Sequence, residues 1–186
     1  MTKLILIRHG ETDWNTEGRW QGQVDLPLNA RGQGQAEQIA SCLSDSEISA
    51  IYSSDLRRAV ETAEALGKLT GLPVRTDPRL REIHQGKWQG LLVREIKECY
   101  AEAFQRRHEN PLSVAPPGGE TAQDVHERVI HAIEQILEEH PEETVAIVSH
   151  GFAIAVTLAH YKKVPFEKVW DLVPRNASIH TLEVLQ

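Results

Sequence analysis

A chain of 186 residues, 40% hydrophobic and 25% charged, has the size and balance of one globular domain, which excludes wholesale disorder, collagen-like repeats and a coiled-coil rod. Its longest purely apolar runs, Leu4-Ile5-Leu6-Ile7 and Val145-Ala146-Ile147-Val148, fall far short of the roughly 20 residues of a membrane span or the roughly 7 to 15 of a signal peptide's apolar region, so neither membrane insertion nor classical secretion is expected. Twenty Lys and Arg against 27 Asp and Glu leave a formal charge of −7 without a basic block, which argues against a nucleic-acid partner.

Along the chain, residues 3 to 8 predict a buried strand in which Ile alternates with Leu, followed by a loop rich in Gly and polar residues that runs to about Asn29. Ala36, Ile39, Ala40 and Leu43 then recur at helical spacing, with Asn29 or a neighbour as the N-cap and Gly32 and Gly34 weakening the first turn. Residues 50 to 53 suit a second strand. The helix marked by Leu56, Ala59, Val60, Ala63 and Leu66 should stop at Gly71, before a short strand near 73 to 76. Residues 92 to 108 predict a charged, partly exposed helical cover. Pro116-Pro117-Gly118-Gly119 breaks the chain before a strong helix from about Thr121 to His140, opened by Thr121 and Asp124 as a capping pair. A strand over 144 to 149, an apolar helix over 151 to 161 and a strand over 178 to 184 complete the order. Strands alternating with helices predict an α/β layered fold with a mostly parallel central sheet covered on both faces. Cys42 and Cys99 lie far apart, outside any CxxC context, as reduced thiols of a cytoplasmic protein would; a single disulfide between them stays open.

Several familiar motifs fail. Gly32-x-Gly34 lacks the third glycine of a dinucleotide fingerprint and sits inside a helix, and no Walker-type loop is present. His126 and His131 are five residues apart, about 140° around a helix, which is not the single face that HExxH requires. Ile147 stands where a GxSxG elbow needs glycine, so Ser149 is not a hydrolase nucleophile of that type.

What remains is a pair of similar breaks. Arg8-His9-Gly10-Glu11-Thr12 follows the first strand, and Ser149-His150-Gly151 follows the strand at 144 to 149. Both fall where α/β sheets carry their ligand-binding loops, at strand carboxyl ends.

Leu6-Ile7-Arg8-His9-Gly10-Glu11-Thr12 resembles the signature of the histidine phosphatase superfamily, also called phosphoglycerate mutase-like. Further matches occur in family order: Gln21-Gly22, Leu26-Pro27-Leu28-Asn29-x-Arg31-Gly32, Tyr52-Ser53-Ser54-Asp55-Leu56-x-Arg58-Ala59-x-x-Thr62-Ala63, Leu80-Arg81-Glu82-Ile83, Pro117-Gly118-Gly119-Glu120 and Val148-Ser149-His150-Gly151. The resemblance implies a three-layer α/β/α fold, a single domain over 1–186 and a substrate cover formed by 83–117. His9 would be the nucleophile that accepts a phosphoryl group, a task a neutral imidazole performs near pH 7. Arg8, Arg58 and His150 match the family's phosphate pocket, and an arginine fork holds two phosphate oxygens at once. Asn15, Gln21, Gly22 and Gly151 match positions near the phosphate. Arg57 competes with Arg58, but the Arg-Ala-x-x-Thr-Ala register favours Arg58. Glu82 resembles the proton donor to the leaving oxygen and the later activator of water. Glu11 and Arg31 are assigned to the loop's structure, and His108, His126, His131, His140, His160 and His180 to structural or solvated positions. No metal and no cofactor is implied, because arginines and histidines carry the charge.

Three activities stay open at this point: a phosphatase acting on a small phosphorylated metabolite, a mutase using bisphosphoglycerate, and a silent phospho-ligand binding module. The presence of every expected catalytic residue disfavours the module, and the short 83–116 segment disfavours the mutase, whose members resemble longer chains. Arg81-Glu82-Ile83-His84-x-Gly86-x-Trp88-x-Gly90 is similar to broad-specificity and α-ribazole phosphatases. Metal-independent phosphoserine phosphatases are similar too, including around Asn176-Ala177-Ser178, but there a His is expected before Gly86 where this chain has Gln85. Leaving-group choice is assigned to His84, Trp88 and the 92–108 helix. The oligomeric state, a homodimer included, is not legible.

Overall fold

Strand β1 (Thr2–Arg8) has two apolar faces, Leu4 and Leu6 on one side and Ile5 and Ile7 on the other, as the two-residue period of a pleated strand requires. Such a strand is stable only between two covering layers, and the computed structural model, which describes residues 1–185, supplies both. β1 pairs in parallel with β4 (Thr144–Ser149), β4 with β2 (Ile48–Ser53) and β2 with β3 (Val74–Thr76), while β5 (Ile179–Val184) runs antiparallel along the other side of β1. The order across the sheet is β3-β2-β4-β1-β5.

After the short α1 (Asp13–Glu17), helices α2 (Ala30–Cys42) and α3 (Arg57–Thr70) bury Ile39, Ala40, Ala59, Ala63 and Leu66 against the Ile5 and Ile7 face. Two cover helices, α4 (Val93–Cys99) and α5 (Ala101–Glu109), precede α6 (Ala122–Glu139) and α7 (Gly151–Tyr161). Val125, Val129 and Ile133 of α6 and Ile154 and Leu158 of α7 join the cluster on the Leu4 and Leu6 face. The result is the three-layer α/β/α fold, with no helix among the described residues long and apolar enough to cross a membrane.

Local chemistry sets the boundaries. Asn29 Oδ1 accepts the Gly32 N–H at 2.8 Å to open α2, and Gly71 ends α3 in the left-handed conformation at φ 76°. Thr121 and Asp124 form the reciprocal capping box of α6 at 3.1 and 2.8 Å. The segment 92 to 108 departs from the single expected helix. Tyr100, at φ −135° and ψ 38°, leaves the helical region, and the two pieces bury different residues, Ile96 from α4 and Arg107 from α5.

Strand register then builds the site. Arg8 lies beside Ser149 and Ser53 beside Val148, so the loops after β1, β2 and β4 leave the same edge of the sheet together. That edge is the carboxyl end of the parallel strands, where open α/β sheets bind ligands.

Candidate active site

His9 and His150, the first residues past neighbouring strands, come to rest with ring centroids 5.1 Å apart. The His9 Nδ1 lies 2.7 Å from the Gly10 carbonyl. A carbonyl only accepts, so the imidazole proton sits on Nδ1 and Nε2 presents its lone pair. Arg58 Nε donates to that Nε2 at 3.3 Å, and the rest of the buried guanidinium donates to the Val24 and Gly22 carbonyls, each at 2.7 Å. Arg8 donates to the Pro174 carbonyl, and its Nε is buried without a partner among the described residues.

The loop carrying His9 is fixed by close packing. Gly10 N–H donates to Thr62 Oγ1 at 3.1 Å, and Thr62 donates in turn to the Arg58 carbonyl at 2.8 Å. A Cβ on Gly32 would stand 2.1 Å from the Glu11 carbonyl oxygen, so the glycine that weakens α2 is required by the loop resting on it. Glu11 holds that loop through Asn29 Nδ2 at 3.2 Å and the exposed Arg31 at 3.3 Å. Gly151 plays a similar part at the start of α7, where a Cβ would lie 3.2 Å from the Arg8 guanidinium carbon.

Behind the cleft, His150 is fully buried, with Nε2 2.8 Å from Ser54 Oγ. Ser54 Oγ also accepts the Leu56 N–H at 3.3 Å. The other ring nitrogen, His150 Nδ1, has no partner among the described residues and belongs to the ring beside His9. Glu82 stands at the N-terminus of α7, accepting the Phe152 N–H at 3.2 Å on each oxygen and the Ile83 N–H at 2.9 Å. Its own carbonyl is held by Gln23 Nε2 and Arg128 Nη2, each at 3.0 Å.

Burial, reinforced by the charges of Arg58 and Arg8, pushes the His9 imidazole well below its ordinary 6.5, against a smaller opposing effect of the Gly10 carbonyl. Burial, then Arg58, His9 and Arg8, does the same to His150. Both rings are therefore neutral at pH 7. Burial lowers Arg58 to about 10, with Glu82 and Asp25 opposing, and lowers Arg8 as well; both remain cations. The site thus presents a neutral imidazole nitrogen, the buried Arg58 and half-buried Arg8 cations and the Glu82 carboxyl group around a cleft of about 310 Å³. Among the described residues no three His, Cys, Asp or Glu side chains converge as metal ligands.

The family description that this constellation matches is the histidine phosphatase superfamily (branch 1), over residues 4–186. The chain belongs to the histidine phosphatase superfamily. It is 38% identical over 184 residues to phosphoserine phosphatase 1 of Hydrogenobacter thermophilus, covering 99% of this chain and 87% of that protein. It is 39% identical to glucosyl-3-phosphoglycerate phosphatase of Mycobacterium tuberculosis over 88% of this chain and 76% of that one. Among solved structures, the α-ribazole phosphatase of Shigella flexneri superimposes with a TM-score of 0.92 at 29% identity, covering 99% of this chain and 91% of that one.

Most of the residues singled out in the sequence meet in this histidine phosphatase's cleft. Arg8, His9, Asn15, Gln21, Gly22, Arg58, Glu82 and Gly151 line it, with His150 directly behind His9. Asn15 Oδ1 is occupied by the Thr12 N–H and hydroxyl, both at 3.0 Å, and by Asn176 at 3.3 Å, which leaves its NH2 for a ligand. Arg57 is exposed and paired with Glu61 at 2.6 Å, away from the cleft. The structure does not bring His84 or Trp88 to the cleft wall. His84 turns inward, its Nδ1 accepting the Gly86 N–H at 3.1 Å, and Trp88 is fully buried edge-on beneath Trp20 at 5.6 Å. Arg19, Trp20, Phe152, Trp170 and Val173 line the cleft without having been singled out. Ser54 and Thr62 lie within matched motifs, which was a usable signal; Trp170 and Val173, more than 150 residues from His9 in sequence, carry no local one.

Proposed function

We propose that this histidine phosphatase hydrolyses small phosphomonoesters through a phosphohistidine on His9, with Glu82 as proton donor and without a metal ion. The observation that carries the reading is the His9 ring, neutral and locked by Gly10, with Nε2 against the buried Arg58 guanidinium and Arg8 on the same cleft. A phosphoryl group held by the two arginines and by His150 Nδ1, which carries the ring proton when Ser54 Oγ donates to Nε2, has its developing charge stabilised by donors already in place. The Nε2 lone pair forms the N–P bond as the ester P–O bond breaks. Glu82 takes up the proton of a bound monoanionic ester, the bonding electrons pass to the leaving oxygen, and Glu82 hands that proton to it. Water then attacks phosphorus, Glu82 takes a proton from it, and inorganic phosphate leaves with His9 neutral again.

The two named phosphatases support small phosphorylated metabolites as the substrate class. In this reading residues 83–117, which carry α4 and α5, are the cover on the leaving-group side. Two free, exposed cysteines suit a reducing compartment such as the cytoplasm. The test is phosphate release in EDTA from p-nitrophenyl phosphate, phosphoserine, α-ribazole phosphate and 3-phosphoglycerate by wild type and His9→Ala. The reading requires release that EDTA leaves intact and His9→Ala abolishes; turnover surviving in His9→Ala contradicts it.

A further inference from the structure

A second cavity of about 400 Å³ adjoins the phosphate cleft, with Trp20 and Trp170 on the wall of both. Trp88, Phe104, Arg107, His108 and Pro111 complete its wall, so the space lies between the loop after β1, the cover helix α5 and the turn after α7. Trp20 is tied to the cover by the Trp20 N–H to Leu91 carbonyl bond at 3.0 Å and the Gly90 N–H to Trp20 carbonyl bond at 2.8 Å.

The buried polar side-chain groups of this wall that lack a partner are all donors. Arg107 is buried, its Nη1 donates to the Val114 carbonyl at 3.2 Å, and its Nη2 has no partner among the described residues. The indole N–H groups of Trp88 and Trp170 are also buried without acceptors. The guanidinium carbon lies 5.5 Å from the Trp170 ring centroid and 6.0 Å from that of Trp88, and no described carboxylate forms an ion pair with it. Burial lowers Arg107 to about 10, which leaves it charged at neutral pH. A buried cation and two buried donors without acceptors are costly in an empty protein and favourable once an anion or acceptor enters.

We propose that this cavity is the leaving-group subsite and that it takes an apolar or aromatic body ending in a carboxylate, which Arg107 receives. The reading deepens the phosphomonoesterase assignment and rests on it. A carboxylate is an acceptor only, which matches three donors, and the aromatic walls match an apolar body. A sugar fits less well, because each hydroxyl also brings a donor and the wall offers one side-chain acceptor, the imidazole of the exposed His108. Trp88 then acts on substrate choice from this second cavity, outside the phosphate cleft.

The experiment uses 4-phosphonooxy-substituted benzoate, phenylacetate and phenylpropanoate, each against its primary amide, with p-nitrophenyl phosphate as reference. For at least one length, wild type should prefer the carboxylate over the amide by about 10-fold or more in kcat/KM, with most of the difference in KM, as a desolvated charge-assisted pair gives. Arg107→Met should remove that preference, Arg107→Lys should keep part of it, and the exposed neighbour Arg106→Met should keep it all. Arg107→Met should also keep or raise Tm, since it removes an unpaired buried charge; a purely structural arginine would lower Tm and leave the ratio unchanged. Hydrolysis of p-nitrophenyl phosphate with no carboxylate preference at any length, or a preference that survives Arg107→Met, overturns the subsite alone. No hydrolysis of any ester by wild type overturns the phosphatase reading and the subsite with it.

Discussion

Replacing Glu82 by Gln separates the proton-donor role from every other role that the side chain could have. The carboxylate accepts the Ile83 N–H at 2.9 Å and the Phe152 N–H at 3.2 Å on both oxygens. A Gln amide oxygen can keep one acceptor on each of those N–H groups and lose only the second Phe152 contact, so the stability cost should stay within about 1 kcal/mol. Glu82 also opposes the lowering of Arg8 and Arg58, so its charge stands against an incoming phosphate. Neutralising it should tighten inhibition by inorganic phosphate by roughly 5-fold, on the order of 1 kcal/mol. Turnover should move the other way. Alkyl phosphates, whose alkoxide needs a proton, should lose about 10² to 10⁴ in kcat, whereas p-nitrophenyl phosphate should lose less than about 10-fold. The assay is steady-state kinetics on both ester types with phosphate as competitive inhibitor. Equal losses on both, or weaker phosphate inhibition, would refute the acid role and point to a collapsed cleft.

Other outcomes follow from individual contacts. Arg58→Lys cannot serve Val24, Gly22 and His9 at once and should lose about 10²-fold or more in kcat/KM, whereas exposed Arg57→Lys should stay within about 2-fold; kinetics on the two variants decide it. Gly32→Ala, with its Cβ 2.1 Å from the Glu11 oxygen, should cost about 2 to 4 kcal/mol, and Gly34→Ala, which meets nothing within 4 Å, should gain about 0.5 to 1 kcal/mol by urea unfolding. His9 and His150 are buried neutral, so the unfolded chain takes up protons below its ordinary histidine pKa that the native state refuses. Stability should therefore be full above pH 6.5 and fall below it by up to about 1.4 kcal/mol per pH unit for each ring. The lowered carboxylates Asp77, Asp124 and Glu139 titrate further into acid. Urea midpoints at pH 7.5 and 5.5 then report these two histidines together with His160 and His180, which burial also lowers though less strongly, and unchanged midpoints contradict the burial of His9 and His150 as neutral rings.

The sheet and its covering helices were legible because local signals agreed with tertiary demand. Leu4, Ile5, Leu6 and Ile7 are apolar on both faces of one strand, and Asn29, Gly71, Thr121 and Asp124 cap helices at the positions their chemistry favours. The break at Tyr100 was not legible, since helical propensity continues through it and the interruption is set by which residues α4 and α5 bury. At the cleft, His9 and His150 announce themselves as strand-terminal His-Gly pairs, and register does the rest. Spacing around Glu82 gave no hint that His84 turns toward Gly86 or that Trp88 lies under Trp20, because both depend on how the 84–90 turn packs on distant chain. Trp170 and Arg107 were invisible for the same reason. Arg107 reads as one of several charges on an exposed helix until the aromatic rings that bury it are assembled.

The most direct test of the central claim is a rapid acid-free quench of wild type turning over a ³²P-labelled phosphomonoester in EDTA, followed by proteolysis and mass mapping of the labelled peptide. The account predicts acid-labile, base-stable label on the peptide containing His9, present in wild type and absent from His9→Ala. Phosphate release that proceeds at full rate with no label on His9 would contradict it.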